Sequence, residues 1–171
     1  MKYVLVDRYL DLVPGERATA VKNVPIGEGY FPMTCLEPAY APSLLMESMA
    51  QTAGMLVAAT FRFARKTVLA KIQEAEFPHP VRPGDHVEML AAFLETLGGH
   101  CRMQVTASVE GHTVGRMVGL FTALELTREE GAPFDTPEFD RARASSLRCL
   151  GVKELLDRVP TAAAGPSEGE G

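Results

Sequence analysis

A helix that is apolar on nearly every side cannot stand at a protein surface, and residues 43 to 63, SLLMESMAQTAGMLVAATFRF, spell one. Leucine, methionine and alanine dominate, no proline intervenes, and Pro42 or Ser43 marks the start. A surface helix would show a one-sided stripe. Here the apolar cover continues around the rod, so the rest of the chain is expected to wrap it.

The wrapping is legible on either side. After the helix come TVLAKIQEAEF (67 to 77), DHVEMLAAFLET (85 to 96), HCRMQVTASVE (100 to 110) and TVGRMVGLFTALEL (113 to 126). In the third, Cys101, Met103, Val105, Ala107 and Val109 alternate with polar residues, the period of a half-buried strand. Leu97-Gly98-Gly99 and Glu110-Gly111 are compact turns, which predicts an antiparallel meander. Before the helix, RATAVKNV (17 to 24) alternates as a strand. VDRYLDLVPGE carries Val6, Tyr9, Leu10 and Val13 near helical spacing and predicts one short helix ending at Pro14-Gly15. Residues 25 to 41, with Pro25, Gly27, Gly29, Pro32 and Pro38, predict an ordered loop. Together these give an α+β domain over residues 1 to 126, a curved antiparallel sheet around one long helix. Residues 127 to 171 form a C-terminal extension, with helix starts expected at Thr136-Pro137-Glu138 and at Val152, followed by a disordered tail.

Bulk properties narrow the partners. A net charge of −5 leaves no broad basic surface for phosphates, so nucleic acid is not an expected partner. The longest apolar run, Ala53 to Ala59, is far short of the roughly 18 residues a membrane helix needs. Asp7, Arg8 and Asp11 interrupt the start too early for a secretory signal, and the expected location is the cytoplasm. Cys35, Cys101 and Cys149 are odd in number and widely spaced, the pattern of reduced thiols and not of a zinc site. No glycine-rich phosphate loop, metal spacing or Ser-His-Asp arrangement is present, so neither cofactor nor metal is expected.

Inside the apolar helix stands one carboxylate, Glu47, with Gln51 one turn on. The same face continues to Gly54 or Met55 and Ala58. Burying an ionised carboxylate costs several kcal/mol unless it is bonded or paired. One account is structural: Glu47 bonds Gln51 or meets an arginine at a dimer seam. The other is functional, a general acid/base at the floor of an acyl pocket.

Residues 6 to about 126 resemble the β-hydroxyacyl-acyl-carrier-protein dehydratases, the FabZ and FabA group with the hot-dog fold. The resemblance rests on VDRYLDLVPGERATAVKNV, EPAYAPSLLMESMAQTAG and EAEFPHPVRPGDHVEM. It implies a dimer with acyl tunnels along the interface, each site taking a histidine from one subunit and a helix carboxylate from the other. Glu47 matches that carboxylate and Gln51 the family's glutamine. The implied ligand is an acyl chain carried on acyl-carrier protein or coenzyme A. The histidine is missing: counting back from Glu47 by the family's spacing reaches Met33, and counting forward from KNVPIGEGYF reaches Thr34. Only a shifted register would put Tyr30 there, and a phenol with a pKa near 10 is a poor base at neutral pH. Residues 1 to 78 contain no histidine.

The site expected on these grounds comprises Glu47 and Gln51 as catalytic groups, with Tyr30, Met33, Thr34, Cys35 and Gly54 lining the substrate. His79, between two prolines, is the one histidine of interest as a displaced base. Arg62, Arg65 and Lys66 are expected to close the helix against its dipole or to form a docking patch for an acidic carrier. Three functions remain open. The first is a dehydratase of atypical type or one completed in a heterodimer by a histidine-bearing homologue. The others are an acyl thioesterase and a non-catalytic acyl-binding protein.

Overall fold

The computed structural model of the chain describes residues 4–28, 38–97, 99–125, 144–145 and 147–158. Six strands form one antiparallel sheet: β1 (Arg8–Val13), β2 (Arg17–Asn23), β3 (Arg65–Glu76), β4 (His86–Leu97), β5 (His100–Val109) and β6 (His112–Glu125). Their order across the sheet is β1-β2-β4-β5-β6-β3. The long helix α1 (Pro42–Thr60) lies in the concave face, and a short helix α2 (Val152–Leu156) packs on β1. This is the expected α+β hot-dog arrangement.

Alternation sets which face of each strand meets α1. Met89 and Ala91 on β4, Met103 and Val105 on β5, and Met117 and Phe121 on β6 point into the core with Leu45, Met49, Leu56 and Val57 of the helix. Each of the larger side chains contributes about 1.5–3 kcal/mol on leaving water, and the Ala91 methyl about 0.8 kcal/mol. Two inward positions on β6 are glycine, where a Cβ would crowd the packing. At Gly115 it would stand 3.3 Å from Met49 Sδ and from a Phe77 ring carbon, and at Gly119 it would lie 3.1 Å from a Leu69 methyl. The β5–β6 turn falls at Glu110-Gly111 with both residues left-handed (φ 49° and 81°), a twist that suits a tight hairpin.

Proline at its start and an uninterrupted run of good helix formers explain α1. Its three buried hydroxyls bond back to the helix: Ser48 to Leu44 O, Thr52 to Ser48 O and Thr60 to Leu56 O. The helix stops where Arg62 and Phe63 turn left-handed (φ 52° and 59°), the Phe63 N–H donating to Ala58 O.

Two expectations are corrected. The opening segment is not a helix: Arg8–Val13 is a strand paired with β2, and its register shifts between Tyr9 and Asp11. That bulge inserts an extra residue, so Tyr9 and Leu12 both face inward at a spacing of three and imitate helical periodicity. Nor do the described residues wrap the helix on every side, since Ser43 and Glu47 are exposed and Gln51, Gly54, Met55 and Ala58 only half-buried. The extension contributes more than a tail, with Leu150 and Val152 in the core. The helix start at Thr136 lies outside the described residues.

The strand and helix readings of the opening segment predict opposite mutational patterns. Leu12 is 2% exposed and Leu10 is 49% exposed. Leu12→Ala is expected to cost about 2–5 kcal/mol in chemical unfolding, and Leu10→Ala no more than about 0.5 kcal/mol. A helix with Leu10 on its apolar face would reverse the two.

Candidate functional site

The open strip of α1 runs through Ser43, Glu47, Gln51, Gly54 and Ala58, positions three or four apart and so on one helical face. Met46 and Met55 flank it, both half-buried. Glu47 is exposed in the single chain, which corrects the expectation of a buried carboxylate. The sheet curls around the opposite side of the helix, and the composition of α1 does not distinguish a side covered by the sheet from one it leaves open.

Gln51 is held at both ends of its amide. The carbonyl oxygen accepts from the Leu5 N–H at 2.9 Å, and Nε2 donates to Glu47 Oε1 at 3.0 Å. A carboxamide bonded through its oxygen can turn its NH₂ only toward the remaining acceptor, so the main chain at Leu5 orients the Glu47 carboxylate through Gln51. Tyr9 adds a second tie, its hydroxyl donating to Gln51 O at 3.1 Å. Burial of the ring pushes the Tyr9 phenol far above its ordinary pKa, so it stays a neutral donor. Leu5 acts through its backbone and so leaves no mark in the sequence, and Tyr9 reads there only as an apolar position.

Further along the strip, a Cβ on Gly54 would lie 3.9 Å from both the Phe121 ring and the Thr67 methyl, so the strip narrows there against β3 and β6. The Thr67 hydroxyl is buried beside it with no hydrogen-bond partner among the described residues. At the other end, Gly115 brings Leu45, Met49 and Phe77 together, and the Tyr40 N–H donates to Val81 O at 2.7 Å. Residues 77 to 81, including His79, therefore pass by the amino-terminal half of α1. The other expected lining residues, Tyr30, Met33, Thr34 and Cys35, lie outside the described residues.

The four histidines are all exposed. His86 Nδ1 meets Asn23 Oδ1 and His100 Nδ1 meets Thr122 Oγ1, each at 2.8 Å. The cationic group after the helix also departs from expectation: Arg65 and Lys66 begin β3, and the Arg65 guanidinium stacks 4.9 Å over the Phe61 ring. No group of three or more metal-ligating side chains occurs among the described residues, and no described helix is long and apolar enough to cross a membrane.

Against known proteins, residues 1–118 match the family model of the FabA-like domain. The chain is 34% identical over 116 residues to a 3-hydroxyacyl-[acyl-carrier-protein] dehydratase FabZ of Psychromonas ingrahamii, covering 64% of this chain and 75% of that one. It is 35% identical over 118 residues to the FabZ of Pasteurella multocida, covering 66% and 76%. Among solved structures, an uncharacterized protein from Pyrococcus horikoshii superposes with a TM-score of 0.60 at 20% identity, covering 71% of this chain and 85% of that one. At that identity the structural likeness concerns the fold.

Thiol chemistry separates the described cysteines. Cys101 is fully buried, and that burial raises its pKa, outweighing a hydrogen bond from Thr96 and the charge of Arg65. Cys149 is exposed. Iodoacetamide is expected to alkylate Cys149 in the native protein and Cys101 only after denaturation, as read by peptide mass spectrometry. Equal labelling of the two would contradict the placement of β5.

Proposed function

The chain belongs to the FabA-like family of dehydratase-like hot-dog proteins, and on that footing we propose that it binds a 3-hydroxyacyl thioester along the open strip of α1. Glu47 is the group that meets the 3-hydroxyl, and Gln51 holds it in place. The observation that carries this reading is the chain of hydrogen bonds from Leu5 N–H through the Gln51 amide to Glu47 Oε1. An exposed glutamate on a helix ordinarily samples many rotamers. This one is fixed in direction, beside half-buried methionines suited to an acyl chain.

In dehydration a base takes the proton from the carbon next to the thioester, the C–O bond at carbon 3 breaks as the double bond forms, and the departing hydroxyl takes a proton to leave as water. Glu47 is the group that hands this second proton to the departing hydroxyl. The first needs a base. Met33 or Thr34, whichever fills the family's histidine slot, has no group that accepts a proton near neutral pH. We therefore assign this chain the carboxylate half of a site, completed by a second subunit that covers the open strip and brings a histidine, as in a heterodimer with a histidine-bearing homologue. The acyl chain arrives on acyl-carrier protein or coenzyme A, and the working location is the cytoplasm. A pair of identical chains binds the acyl thioester, with His79 the one displaced base it can offer.

Three mixtures test this: the chain alone, the chain with a histidine-bearing family member, and that mixture with Glu47→Gln, each given a 3-hydroxyacyl-coenzyme A. Enoyl thioester is expected only in the second at full rate, with Glu47→Gln slower by about 10²–10⁴-fold. The chain alone is expected to retain the acyl thioester in equilibrium dialysis. No binding and no enoyl product in any mixture would end the proposal, and release of free coenzyme A would reassign the site to hydrolysis.

A further inference from the structure

Residues 147 to 156 lie beyond the stretch that matches the family model, yet they are built into the side of the fold that holds Gln51. Leu150 O accepts the Tyr9 N–H at 2.9 Å on the outer edge of β1. Val152 is fully buried in the same core cluster as Val6, Tyr9 and Leu12, and Leu147, Leu155 and Leu156 pack against that cluster. Between them Gly151 adopts φ 74°, a conformation open to glycine. A Cβ there would stand 3.5 Å from Arg8 Nε and 3.6 Å from Tyr9 O, so the two backbones run in contact.

Tyr9 faces both ways. Its N–H is taken by Leu150, and its hydroxyl reaches Gln51 O in the helix. Four residues earlier, the Leu5 N–H holds the Gln51 side chain. Residues 5 to 9 therefore lie between the C-terminal segment on one side and the carboxylate-bearing face of α1 on the other.

We infer that residues 147 to 156 are a positioning strap for the Glu47 site: they press residues 5 to 9 against α1 and thereby fix the Gln51 amide that directs the carboxylate. The role is positional because the same segment is also pinned from β2. The Asp7 N–H donates to Val21 O, and Asp7 Oδ2 accepts from the N–H and the side-chain amide of Asn23. Releasing the strap leaves β1 paired and loosens only what stands beyond it. The competing role for such a segment is to shield an edge strand from other chains, which would not reach Gln51. The inference rests on the reading of Glu47 given above, and its structural half is measurable without it.

Three probes in the full-length chain report on successive links: amide hydrogen exchange at Tyr9 for the strap, amide exchange at Leu5, and the Gln51 carboxamide signals in a nitrogen-proton spectrum. Val152→Asp removes the buried anchor, and Gly151→Ala strains the left-handed turn while leaving the apolar contacts. Both are expected to speed exchange at Tyr9. With it, exchange at Leu5 should rise by about two- to tenfold, the scale of one hydrogen bond lost. The Gln51 carboxamide should move toward its free position, and affinity for acyl-coenzyme A should fall by a similar factor. Tyr9→Phe keeps the strap and is expected to disturb Gln51 alone. Fast exchange at Tyr9 with Leu5 and Gln51 unchanged in both variants would reduce the strap to an edge cover and overturn the inference, as would unchanged exchange at Tyr9 itself. If Val152→Asp fails to fold, Gly151→Ala carries the test. If the wild-type chain binds no acyl-coenzyme A, the reading of Glu47 fails, while the exchange measurements still decide the strap.

Discussion

Leu45, Met49, Leu56 and Val57 can leave water only against the inner face of the sheet, and the strands curl far enough to receive them. Gly115 lets the rod come close, since a methyl there would meet Met49 and Leu45 of the helix, and Gly119 makes room beside it for the Leu69 and Phe121 side chains of the sheet. Ser48, Thr52 and Thr60 tolerate the enclosure because each hydroxyl finds a carbonyl one turn back in the same helix. The polar cost of burying these three hydroxyls is thus settled within α1, and Met89, Ala91, Met103, Val105, Met117 and Phe121 keep the facing strands apolar.

Enclosure on one side leaves a choice on the other. Glu47 sits where the sheet does not reach, and its direction is set by Gln51 and by the backbone at Leu5, not by a surrounding pocket wall. A carboxylate arranged in this way is fixed before anything covers it. That is the property an acid/base group needs if its counterpart arrives from elsewhere.

The meander and the long helix were readable in the sequence because their periods are clean: alternation through Cys101–Val109, and an unbroken helical run after Pro42. The opening strand misled, because one extra residue at its bulge converts a spacing of two into three. The open side of α1 was hidden for a different reason. Methionine, alanine and glycine serve equally in a core and on a strip awaiting cover, so Gly54, Met55 and Ala58 carried no mark of exposure. Glu47 and Gln51 were visible as the polar pair of that face, whereas the clamp upon them was not. It uses the main chain of Leu5 and a tyrosine that looks like any other core residue, and backbone donors have no signature in a sequence. The docking of Leu150 and Val152 on β1 was equally invisible, since it joins parts of the chain far apart in sequence.

The two margins of the sheet differ in a way that bears on how such molecules can be assembled. On β1 the outward N–H of Tyr9 is already taken by Leu150, and the glycine turn at 151 lays the chain's own backbone along that rim. On β3, Val68 and Ala70 alternate outward on a strand joined only to β6 among the described residues. Among the described residues, β1 is met at Tyr9 by the chain's own backbone while β3 is met by no strand beyond β6, so the two margins present different edges to a neighbouring molecule.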